Sequence, residues 1–151
     1  MQKNLLLAIL LVTSSVAFAQ NPFPKQQLSI NGFRNPSIGL EYQRNQLSVH
    51  GGYYVTNFTS GVTTEFLKTG LTYWFLPVDK KEIPSSFYAG ASYLRGLTRD
   101  YKDKNAFAVE VGFRWYVWKG LNFRLGVIAL KAEEQDLKIN PTPSISYSIK
   151  F

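Results

Sequence analysis

Seven ionisable side chains recur on the polar side of segments that alternate apolar and polar residues: Glu41, His50, Lys68, Glu110, Arg114, Arg124 and Lys150. Carboxylates and cations gathered on one surface can form a hydrogen-bonded ion network, hand on a proton, or line a narrow path for ions. A second chemistry would need a nucleophile beside a base. His50 is the sole histidine, and Ser48 lies one strand position away on the same face. A lipid-modifying enzyme could be built on such a pair. Serine is also an ordinary small filler, so no catalytic residue is assigned. With no cysteine, the chain has neither a disulfide framework nor a thiolate zinc site. The acidic run Glu133-Glu134-Gln135-Asp136 reads as a solvated loop tip, since Ca²⁺ needs six or more arranged oxygens. No cofactor or metal is expected.

Extended chain must position these groups. From Ala106 to Trp118 the odd positions are Phe107, Val109, Val111, Phe113, Trp115 and Val117, while Glu110 and Arg114 fall on even ones. A period of two describes a β-strand with one apolar and one polar face. The same pattern marks Ser37–Gln43, Leu47–Val55, Phe66–Leu76, Leu121–Leu130 and Ser144–Phe151, less clearly Phe87–Leu97, and weakly Leu28–Phe33. That makes eight candidate strands. Short turns are expected at residues 44–46 and 119–120, long loops at 56–65, 98–105 and 131–143, and a charged turn at 77–86. If Asn45-Gln46 is a two-residue turn, Glu41 stands directly opposite His50, and the two are expected to pair.

The first residues have another purpose. Lys3, the apolar run Leu5–Val12 and Ala17-Phe18-Ala19 form the three regions of a cleavable signal peptide over residues 1–19, leaving one domain over 20–151. The apolar run is too short to cross a bilayer as a helix. A membrane-embedded mature chain would therefore be a closed barrel, because helices and closed barrels alone satisfy their backbone groups there. The 17 Lys and Arg outnumber 10 Asp and Glu. They are scattered, however, and a partner nucleic acid is not expected.

Two barrels share this alternation. A soluble lipocalin-like binding barrel turns its apolar face to a cavity, whereas a membrane barrel turns it to lipid. The polar face decides between them. It carries Gly39, Gly52, Gly70, Gly90, Gly112 and Gly126, several serines and about one charge per strand. A water-exposed surface would hold many more charges, whereas a narrow lumen needs small residues and a few paired ones. An Arg on the lipid face at the midplane costs about 2–4 kcal/mol, so Lys68, Glu110, Arg114 and Arg124 must point inward in a membrane. The seven ionisable groups then form a lumenal polar network that plugs the barrel. Tyr42, Tyr73, Phe75, Phe87, Trp115, Phe123 and Phe151 gather toward the short-turn rim, where an interfacial aromatic girdle belongs.

The signal peptide, the eight alternating segments and the closing Ser-Ile-Ser-Tyr-Ser-Ile-Lys-Phe make the chain resemble the small eight-stranded outer-membrane β-barrels of the OmpX and OmpA-transmembrane-domain type. The resemblance covers residues 28–151 and lies in pattern rather than in a signature motif. It implies an all-β, eight-stranded antiparallel up-and-down transmembrane β-barrel in the outer membrane of a Gram-negative-type bacterium, with both termini in the periplasm. It also implies that Tyr147, Ile149 and Phe151 are the signal read by the barrel-assembly machinery. Outer-membrane lipids are the expected surroundings, and a structural or surface-interaction scaffold displaying loops is the expected role. A narrow pore, a lipid-modifying enzyme and the soluble barrel are the alternatives.

Overall fold

The computed structural model describes residues 22–34 and 36–151; the signal peptide expected over residues 1–19 lies outside them. Nine strands form among the described residues: β1 (Gln27–Phe33), β2 (Ile38–Arg44), β3 (Leu47–Thr59), β4 (Val62–Pro77), β5 (Ser86–Gly96), β6 (Asn105–Trp118), β7 (Leu121–Ala132), β8 (Lys138–Pro141) and β9 (Ser144–Lys150). Each of β1 to β7 pairs antiparallel with the next. β9 pairs with both β7 and β1, so the sheet closes into a ring.

β8 and β9 follow one register against β7. Val127 faces Pro141 and Arg124 faces Ser144, an equal offset on both sides of the break. Between them the Thr142 N–H still donates to the Gly126 carbonyl at 2.8 Å. Pro143 has no N–H to offer, which is reason enough for the ladder to lapse there. The strands are also strongly staggered. Paired residues followed from Gln43 one way round the ring arrive at Asn140, and the other way, through Gln27, at Lys150, ten residues further along.

Alternation survives in three dimensions. In β6, Phe107, Val109 and Val111 are exposed on the outer wall, while Ala108, Glu110, Arg114 and Tyr116 are buried inside. β2 and β9 alternate just as regularly. The girdle residues expected near the short-turn rim all stand on the outer side, with Tyr73, Phe75, Phe87 and Phe113 in successive ring contact.

Four expectations need correction or completion. Residues 56–65 are not a loop: β3 and β4 run on to Thr59 and Val62 around a tight turn at Ser60-Gly61. Gly61 takes φ +74°, a left-handed conformation natural to glycine. The β-branched Thr56, Val62, Thr63 and Thr64 favour strand, and the polarity of the threonines disguises it. Residues 131–143 likewise give up their first two positions to β7 and their middle to β8, leaving 133–137 and 142–143 as connections. Leu28–Phe33 belongs to a full strand, the one that closes the ring. The 77–86 connection lies at the end of the 45–46 and 119–120 turns, and there Lys81 Nζ donates to the Tyr116 carbonyl at 2.7 Å. At that connection Asp79 Oδ1 accepts from the Lys81 and Ser85 backbone N–H groups.

Gly112 and Gly126 face each other across β6 and β7. A Cβ on Gly126 would sit 2.4 Å from the Val111 carbonyl oxygen and 2.6 Å from the Tyr88 hydroxyl. The two glycines thus clear the space under Tyr88, which packs on Trp74 inside the ring. Gly126→Ala should force the backbones apart and lower stability by about 1–3 kcal/mol. Thermal unfolding followed by circular dichroism checks this; an unchanged midpoint would contradict so close an approach.

Candidate functional site

Buried side chains that bond across the ring form the candidate site. Arg124 of β7 grips Glu41 of β2 through two parallel bonds, Nη1 to Oε2 at 2.8 Å and Nη2 to Oε1 at 3.0 Å. This two-pronged fit is the strongest geometry open to a carboxylate and a guanidinium. Lys68 of β4 reaches Glu110 of β6 at 3.0 Å. Arg114 of β6 donates through Nη1 to the Gln43 side-chain oxygen at 2.9 Å, and its guanidinium lies 3.5 Å over the Trp74 ring. His50 of β3 places Nε2 3.1 Å from the Ser92 hydroxyl and Nδ1 3.2 Å from the Thr72 hydroxyl. Because a hydroxyl both donates and accepts, either neutral tautomer of the ring is satisfied.

Six of the seven expected network members are therefore inside and buried: Glu41, His50, Lys68, Glu110, Arg114 and Arg124. Lys150 is not. It stands exposed at the short-turn rim and pairs there with Glu82 of the 78–85 connection. Its position near the end of β9 carries it past the enclosed part of the interior.

Glu41 does lie directly opposite His50 in the β2–β3 register. Their expected bond is nevertheless replaced, since Arg124 takes both carboxylate oxygens and His50 turns to two hydroxyls. Ser48 is not the histidine's partner either. Its hydroxyl accepts the Trp74 indole N–H at 3.0 Å. The serine beside the imidazole is Ser92, and a threonine rather than a carboxylate holds the other ring nitrogen. Buried in the interior, this pair is remote from the outer wall where a lipid would lie.

Three further groups escaped the alternation argument. Toward the short-turn end, Gln27, Ser29, Tyr116, Asn122 and Ser148 bond to one another, with Gln27 Nε2 2.6 Å from the Tyr116 hydroxyl and Ser29 2.7 Å from Ser148. Phe23, in the lead before β1, is buried in a cluster with Trp74 and Tyr88. Toward the opposite end, Tyr54, Phe66, Leu94, Ile128 and Leu130 form an apolar layer. The 97–104 connection adds Tyr101, from a 3-10 turn at Arg99–Tyr101, and its ring lies 5.3 Å from both Phe58 and Phe66. Ions at mid-height are thus bracketed by aromatic groups. The signal is present in the sequence, since Tyr54, Leu94, Ile128 and Leu130 interrupt the polar face of their strands.

Among the described residues no three of His, Cys, Asp and Glu are grouped to hold a metal ion. In the acidic run, Glu133 accepts from the Asn105 backbone and side-chain N–H groups and Glu134 pairs with Lys104. No helix among the described residues is long and apolar enough to cross a membrane. Comparison with family models, curated proteins and solved structures returned no match to the chain.

Breaking a buried pair from one side leaves a charge uncompensated, at a cost of about 3–5 kcal/mol. Glu41→Gln should therefore destabilise by that order. The double change Glu41→Leu with Arg124→Leu should recover most of the loss, because it removes both desolvated charges. A double-mutant cycle on thermal unfolding measures the coupling, and additive losses would mean that the pair is not one unit.

Proposed function

We propose that the chain is an integral outer-membrane β-barrel with a polar, plugged lumen, acting as a structural or surface-interaction scaffold rather than an enzyme. One observation carries this reading: Leu40, Leu71, Val109, Val111, Leu125 and Ile149 stand exposed on the outer wall while Glu41, Lys68, Glu110, Arg114 and Arg124 are buried within. In water such a belt would be an exposed apolar surface far beyond the few hundred Å² that soluble monomers tolerate. In lipid it is the expected coat.

The dimensions agree. With β8 and β9 counted as two halves of one strand, the ring has eight staves. A stagger of ten residues in such a ring tilts the strands by roughly 40°. About ten residues at that tilt rise ~25 Å, the height of the apolar band of an outer-membrane barrel. The short-turn end, with its aromatic girdle, then faces the periplasm. The Ser60-Gly61 hairpin tip and the 97–104 and 133–137 connections face outward as the displayed surface. Tyr147, Ile149 and Phe151 stand exposed on the outer side, open to the barrel-assembly machinery that the resemblance implies. No catalytic role is proposed for His50, whose hydroxyl partners are enclosed with it.

Gel mobility of an outer-membrane fraction tests the proposal. The unboiled protein should run as a compact band that shifts on boiling. In planar bilayers the same preparation should give no discrete conductance, because ion pairs and aromatic layers occupy the interior. Recovery in the soluble fraction would overturn the location, and stepwise conductance would overturn the plug.

A further inference from the structure

Two arginines stand directly opposite each other inside the ring. Arg114 of β6 faces Arg124 of β7, Ser86 of β5 adjoins Arg114, and Ser144 of β9 adjoins Arg124, so the four form one row across four neighbouring strands. Like charges directly opposed in an antiparallel pair repel. Both Glu41 oxygens are taken by Arg124. The charged side chains buried among the described residues are three cations, Lys68, Arg114 and Arg124, and two carboxylates, Glu41 and Glu110, with His50 held between hydroxyls. One positive charge is in excess, and it belongs to this row.

The row also carries unused hydrogen-bonding capacity. Arg114 Nε and Nη2, Arg124 Nε, and the Ser86 and Ser144 hydroxyls are buried with no partner among the described residues. Trp74 does not answer the need. It stacks against the face of the Arg114 guanidinium, whereas the N–H groups point outward in the guanidinium plane and require acceptors at its edge. Gln43 supplies one acceptor. Buried groups left unmatched to this extent call for an ion or water. Water would offer an acceptor but not the missing charge.

We propose that the Ser86–Arg114–Arg124–Ser144 row is a binding site for one small monovalent anion of halide size. A single negative charge balances the excess, whereas a dianion would overshoot it. Guanidinium N–H groups and hydroxyl hydrogens form a donor set suited to such an ion. Bound there, it would lie beside the Arg114 edge at the level where the two arginines otherwise push apart. The site depends on the interior of the ring alone and not on the membrane reading.

Bromide is the probe, because its anomalous scattering separates it from water. Crystals of the full mature chain grown in bromide should show an anomalous peak within hydrogen-bond distance of the Arg114 edge, and Arg114→Gln should abolish it. In solution, the thermal unfolding midpoint should climb with the logarithm of bromide concentration, as it does for any ligand of the native state alone. The midpoint of Arg114→Gln should stay flat. Should that variant fail to fold, Ser86→Ala with Ser144→Ala keeps both charges and should weaken bromide binding about tenfold or more, one to two charge-assisted hydrogen bonds being lost. Only water in the row, bromide at surface lysines alone, or variants as responsive as the parent would overturn the site.

Discussion

A period-two chain in a closed ring permits no half measures. If β6 slipped by one residue, Glu110 and Arg114 would move to the outer wall and Val109 and Val111 would move inside. The Glu41–Arg124 clasp makes such a slip costly, because its two parallel bonds join β2 to β7 across the interior and tolerate no other spacing. Lys68 with Glu110 does the same between β4 and β6, and Arg114 with Gln43 between β6 and β2. Buried ion pairs contribute little net stability against apolar substitutes. Here they do something alternation cannot, which is to select one stagger among several that would all keep oil outside and charge inside.

That division explains what could be read from the sequence. Facing is a local property, so the inward set from Glu41 to Arg124 and the outward set from Leu40 to Ile149 follow from parity alone. Pairing within one hairpin is nearly as local: the opposition of Glu41 and His50 followed from the Asn45-Gln46 turn. The partner of Glu41 is another matter. Arg124 lies 83 residues away, and its height relative to Glu41 is set by the stagger accumulated over the whole circuit. No single strand contains that information, and so the sequence alone pairs Glu41 with its nearest neighbour rather than with its true partner.

The misread loops have a different origin. Thr56 to Glu65 looked like coil because threonine and serine are polar, yet threonine is also β-branched and suits a pleated ladder. Polarity and backbone preference pointed opposite ways, and backbone preference prevailed once Gly61 provided the turn. At residues 131–143 the ladder does lapse at Thr142 and Pro143, but β8 has already resumed the pairing before them. The misplaced Lys150 follows from parity without height. It lies on the inward side, but at a level where the ring has opened to solvent and Glu82 is within reach.

The vertical order of the interior bears on the proposed scaffold role. A conducting lumen needs polar groups along its entire length, so that an ion exchanges one set of ligands for the next. In this ring the ionic middle gives way on one side to Tyr54, Phe66 and Tyr101 and on the other to Trp74, Tyr88 and Phe23. An ion entering from the Tyr101 end would have to shed its water among aromatic rings before it met a charge. Tyr101 comes from the 97–104 connection, which is hydrogen-bonded to the end of β5 through Gly96, and Phe23 from the lead before β1, where it packs on Trp74 and Tyr88. The strands' own side chains and their clasps therefore seal the interior, and Tyr101 and Phe23 add to that seal from the segments beside them.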